Sequence, residues 1–110
     1  MPHENLTGLQ IWLLGGVVEA LHQKASDRGM PLEDVLVGSG EVIDDLQGFV
    51  VPAGSAELEA GRTLANTART RSVVSRMLDD LVRLGLLEKR GLQFSLTPEG
   101  HMLSERLEVV

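Results

Sequence analysis

At 110 residues the chain has the length of one domain with one hydrophobic core, large enough to hold together without covalent staples. It has no cysteine, which excludes disulfides, thiolate nucleophiles and cysteine-ligated zinc, and aromatic residues make up only 3%, so leucine and valine must build the core of a mostly α-helical domain. A formal net charge of −6 argues at first against a polyanionic partner.

Met1 to Asn5 reads as a loose terminus. From Leu6 to about Arg28 the pattern is that of a long helix, with Leu9, Leu13, Val17, Ala20 and Leu21 on one face and Trp12, Leu14 and Val18 widening it. Asn5 or Thr7 is its candidate cap. Gly15-Gly16 costs the helix about 1 kcal/mol per residue relative to alanine, so the helix bends there or another element approaches closely. The apolar run Ile11 to Val18 is too short to span a bilayer, and no positive charge of the secretory kind precedes it, so a soluble, cytoplasmic protein is expected. Such a wide apolar surface has two uses: an intrachain core, or a homodimer seam shared with Met102, Leu103, Leu107, Val109 and Val110 near the C-terminus.

Pro31 starts a short helix through about Val37. Gly38-Ser39-Gly40 reads as a turn, without the spacing of a phosphate loop, and Glu41 to Leu46 as another short helix. Gly48-Phe49-Val50-Val51 before Pro52 looks extended, a candidate third strand for a hairpin further on. Ser55 to about Ala68 is the next predicted helix, capped by Ser55, with Glu57 in its first turn, Leu58, Leu64 and Ala65 as buried residues and Gly61 as a weak point. Ala68-Arg69 is the expected turn after it.

From Thr70 to Leu84, Val74, Met77, Leu78, Leu81 and Leu84 recur at helical steps, opposite Arg71, Ser72, Ser75, Arg76, Asp79 and Arg83. Thr70 is the expected N-cap and Gly85 the left-handed stop. The period then changes to alternation: residues 86–89 and 92–96 flank Arg90-Gly91 as a hairpin, with Leu92, Phe94 and Leu96 on one face. Thr97-Pro98-Glu99 opens a last helix to about Leu107.

A helix, a hairpin and a helix in this order form the second half of a winged helix-turn-helix, whose recognition helix enters the major groove. The fold class is therefore mostly α with a small β wing (α+β), a single winged-helix domain over 1–110. Its helix-turn-helix spans 55–84, its wing hairpin 86–96 and its last helix 98–107. Val74-Ser75-Arg76, Leu81, Gly85-Leu86 and Leu96-Thr97-Pro98-Glu99-Gly100 also resemble the recognition helix and wing exit of MarR-type transcriptional regulators. The resemblance covers about a third of the chain. This wing is a two-residue turn without the family's Asp-x-Arg motif, and the stretch ahead of the helix-turn-helix is longer and richer in glycine and acid. The resemblance implies a dimer joined through terminal helices, which tips the choice toward the seam. It also implies a small-molecule effector pocket, which no residue marks.

Charge is unevenly laid out. Residues 62–90 carry seven basic side chains against three acidic ones, or +4, and the rest of the chain carries −10. That layout suits a protein meeting a polyanion with one face. In a groove-facing helix the N-terminal side chains reach base edges, so Arg71, Ser72, Ser75 and Arg76 are the candidates for base contact. Arg62, Arg69, Thr70, Lys89 and Arg90 are the candidates for the DNA backbone, Arg90 from the wing tip. Catalysis is not expected: His3, His22 and His101 are scattered, no His-Glu-x-x-His or Gly-x-Ser-x-Gly occurs, and no metal or cofactor is called for. The expected function is a sequence-specific, nucleoid-associated regulator on double-stranded DNA. The alternative is a winged-helix adaptor that binds another protein through its acidic surface or long apolar helix.

Overall fold

The computed structural model describes residues 6–46, 51 and 61–109, the last three by backbone alone. In chain order they form α1 (Gly8–Arg28), a 3₁₀ turn (Leu32–Asp34), β1 (Val37–Gly38), α2 (Ser39–Leu46), α3 (Ala68–Arg83), β2 (Leu87–Arg90), β3 (Gln93–Leu96) and α4 (Pro98–Val109). The strands make one antiparallel sheet in the order β1-β3-β2, so the architecture is mostly helical with a small sheet. No helix among the described residues is long and apolar enough to cross a membrane.

Helix α1 starts at a capping box: Thr7 Oγ1 accepts from the Gln10 N–H, and the Gln10 side chain accepts from the Thr7 N–H. Gly29, at φ 61°, ends it. Leu9, Leu13, Leu14, Val17, Val18, Ala20 and Leu21 are all buried within the single chain, so the wide apolar face is core and not the dimer seam that the resemblance favoured. Trp12 is only partly buried against that core. The reason is geometric. A face this wide is shared among α2, α3, α4, β1 and β3, which surround the helix. The glycine pair divides its roles: a Cβ on Gly16 would sit 2.8 Å from Leu46 Cδ1, while a Cβ on Gly15 would meet open space. The close approach is that of α2 at Gly16.

Between α1 and α2 the expected helix from Pro31 shrinks to one 3₁₀ turn, closed by Asp34 N–H to Pro31 O and Val35 N–H to Leu32 O. Val35 and Val37 then alternate into the core, and Val37 pairs with Phe94, making β1 the third strand of the sheet. Of the strand expected at 48–51, residues 48–50 lie outside the described residues. Val51 bonds to Gly61 and Arg62 rather than to the hairpin. Of the expected turn at 38–40, Gly38 ends β1 and Ser39-Gly40 open α2, with Glu41 Oε1 accepting the Gly38 N–H at 3.3 Å, half of a capping box. Lys24 holds α1 to this corner through Leu36 O (2.7 Å) and Glu41 Oε2 (3.1 Å).

Most of the helix expected over 55–68 falls on residues outside the description, but 61–67 is not helical. Leu64 is buried as expected, and Ala65 is exposed. Helix α3 begins earlier than predicted. Thr67 is its N-cap in place of Thr70, with Oγ1 accepting the Thr70 N–H at 3.1 Å, so Ala68 and Arg69 belong to the first turn and not to a connecting loop.

The hairpin is shifted by one residue. Lys89 faces Phe94 and Arg90 faces Gln93, leaving Gly91-Leu92 as the two-residue turn. Positive φ at Gly91 alone matches a turn that needs glycine first, and Leu92 thereby leaves the strand face to stand 84% exposed. The start of α4 is tied to the end of α3: Thr97 Oγ1 donates to Gly85 O at 2.6 Å and accepts the Gly100 N–H at 3.0 Å, while the Thr97 N–H donates to Leu86 O. A Cβ on Gly100 would collide with Leu86 O.

These contacts predict opposite outcomes for two glycines inside helices. Gly100→Ala should lower the unfolding free energy by about 1–3 kcal/mol through overpacking against backbone, whereas Gly15→Ala, with open space, should raise it by about 0.5–1 kcal/mol. Urea midpoints measure both. On the α1–α2 edge the Asp45 carboxyl is raised above its usual 3.8, first by burial and then by Glu19, Asp44 and Glu41. Because the fold favours protonated Asp45, its stabilising contribution is present at low pH and lost as pH rises through the raised value. Asp45→Asn should therefore melt above the parent protein at neutral pH, and the gap should close as pH falls toward 3.8.

Candidate nucleic-acid interface

Helix α3 presents two faces because its apolar residues keep helical spacing. Val73, Val74, Leu78 and Leu81 are buried. Ser72, Arg76, Asp79 and Arg83 recur at steps of four, three and four and therefore share the opposite face. Ser72, Arg76 and Arg83 are exposed there, and Ser75 and Asp79 are half-buried beside them.

The N-terminal end of α3 is set by Asn66. Its Nδ2 donates to Asp44 Oδ1 (2.8 Å) and Gly40 O (3.4 Å), and its Oδ1 accepts from Arg71 Nη1 (2.8 Å). The amide can only lie this way round, since a carboxylate only accepts and a guanidinium only donates. Asn66 thus bridges α2 to α3 and steers Arg71 along the α2 side, where Arg71 Cδ lies 3.4 Å from the position of a Cβ on Gly40. Arg71 remains exposed but oriented. Nothing in the local pattern around Asn66 marked it, because its partners Gly40 and Asp44 come from more than twenty residues earlier.

Of the other predicted residues, Arg69 is exposed in the first turn of α3 and has no ion-pair partner among the described residues. Thr70 is half-buried and takes part in the cap, its Oγ1 accepting from Thr67 Oγ1 at 3.0 Å. Arg62 is exposed on the segment beside Val51, away from the helix in sequence and carrying backbone bonds of its own. Lys89 is turned to α3: its Nζ meets Asp79 Oδ1 at 2.9 Å and lies 5.6 Å from the centre of the Phe94 ring. Arg90 is 67% exposed near the hairpin turn, with Nε 3.4 Å from Glu88 Oε1.

The acidic residues inside this basic stretch are therefore spent locally: Asp79 on Lys89, Asp80 on Arg83 at 2.7 Å, Glu88 on Arg90. The last two pairs are largely exposed, worth about 0–1 kcal/mol each, and open readily to another anion. The arrangement brings together Arg69, Ser72, Ser75 and Arg76 on α3, with Arg71 at their flank. It sets Lys89 to a structural task and leaves Arg90 on the hairpin. Among the described residues no group of three or more His, Asp or Glu side chains is placed to hold a metal. Chemically the surface offers hydroxyls and guanidinium groups to an acceptor-rich partner. No family model matches this chain, and no curated protein or solved structure matches it either.

Proposed function

We propose that this protein is a winged helix-turn-helix regulator that binds double-stranded DNA in a sequence-specific way, with α3 in the major groove and the β2–β3 hairpin as a short wing on the backbone. The element order supports this reading: helix, strand, helix, helix, hairpin and helix, with β1 closing the sheet beside β3. In this reading α2 is the helix that packs ahead of the recognition helix, since 61–67, the described end of the helix expected at 55–68, is not helical. The observation that carries the function is the polar face of α3. Arg69, Ser72 and Arg76 stand exposed at its N-terminal half while valine and leucine anchor the other side. Arg71, Ser72, Ser75 and Arg76 are assigned to base edges, and Arg62, Arg69, Thr70 and Arg90 to phosphates. Two copies on a palindromic site would have to meet through a surface other than the α1 face, which the core consumes.

A protein-binding adaptor is favoured by one observation. Lys89, Arg83 and Arg90 already face carboxylates, so part of the local positive charge is cancelled. Salt dependence separates the two readings. Binding to a duplex selected from random sequence should weaken with a log–log salt slope of about −0.9 per phosphate neutralised. Arg71→Ala should relax sequence preference at one position at a cost of about 1–3 kcal/mol, while Arg90→Ala should weaken all sequences alike and flatten the slope by about one. Absence of retention on duplex DNA at low salt gives the adaptor reading the field.

A further inference from the structure

A groove of about 400 Å³ opens between the second half of α1, the 3₁₀ turn, the hairpin and the start of α4. This volume is in the range that encloses small organic molecules. Its apolar lining is Leu21, Leu32, Leu36 and Leu96. Glu33, Asp34 and Glu88 supply carboxylates to the rim against one guanidinium, that of Arg90, with His101 counted neutral.

Glu88 and Arg90 largely cancel each other at 3.4 Å. Glu33 and Asp34 have no ion-pair partner among the described residues, so the groove keeps an excess of two negative charges beside a lining shared between leucines and polar groups. Both carboxylates are exposed and solvated, so they repel an anion, add nothing for a neutral molecule and attract a cation. A molecule with an apolar body and one cationic end satisfies both surfaces together.

We infer that this groove is a binding site for a small organic cation, its hydrocarbon part on Leu32, Leu36 and Leu96 and its ammonium group at Glu33 and Asp34. The inference stands apart from the DNA-binding reading, because the groove is not built from the polar face of α3.

Three probes of one chain length differ only in charge: hexylammonium, hexan-1-ol and hexanoate. In an amide NMR titration of the whole chain without DNA, hexylammonium should give saturable shifts at Glu33, Asp34, Glu88 and Ser95, with hexan-1-ol weaker and hexanoate silent. The double variant Glu33→Gln, Asp34→Asn changes exposed side chains on a single turn. It should bind hexylammonium about fivefold to tenfold more weakly and hexan-1-ol as before. Hexanoate binding as tightly as hexylammonium, shifts that fail to saturate, or a folded double variant with unchanged hexylammonium affinity would each overturn the assignment. The comparison of the three probes on the parent protein decides it even where the variant unfolds.

Discussion

Everything in this molecule rests on the burial of one helix. Helix α1 packs against α2, α3, α4, the 3₁₀ turn, β1 and β3, and supplies seven of the buried apolar residues of the core. With two phenylalanines and one tryptophan in the chain, no large aromatic cluster can do this instead. Each fully buried leucine or valine contributes roughly 1.5–3 kcal/mol relative to exposure, so a helix of leucines and valines at the centre is the natural solution. Gly16 sets how near α2 can come, since any side chain there would displace Leu46. The apolar width that looked excessive for an edge helix is the width of a central one.

A second constraint fixes the polar side. Thr97 joins Gly85 O, Leu86 O and the first turn of α4, so the exit of α3, the root of the hairpin and the start of α4 move as one body. Lys89 adds a tie from β2 to Asp79 on α3, with its ammonium against the Phe94 ring. At the other end Asn66 ties α3 to α2. The placement of α3 against the hairpin is therefore held by the part-buried Thr97 bonds together with the exposed Lys89–Asp79 pair. Fixed geometry of this kind leaves less ordering to be done on contact with any partner.

Charge is distributed unevenly over the same structure. Most of the acidic excess falls outside residues 62–90, and part of it gathers on the α1–α2 edge, where Glu19, Glu41, Asp44 and Asp45 raise the Asp45 carboxyl together with burial. Asp44 is also the acid that reaches the N-terminal end of α3, through Asn66 to Arg71. Repulsion on one edge and attraction on another are thus linked through a single amide, which orients Arg71 without neutralising it.

What the sequence determined by itself was local. The helix over 70–84, the alternation after Gly85, the Thr97-Pro98-Glu99 start and the long first helix were readable because each depends on periodicity and caps within a few residues. Even there, two threonines three residues apart moved the cap from Thr70 to Thr67, and the turn slid by one residue to Gly91-Leu92. Tertiary structure decided the rest. Val35 and Val37 alternate too briefly to announce a strand, and β1 exists only because Phe94 and Gln93 offer a partner more than fifty residues away. The use of the α1 face, the Asn66 bridge and the groove behind the hairpin were likewise invisible. Each joins residues far apart in the chain, and hydrophobic pattern records that a face is buried without recording against what.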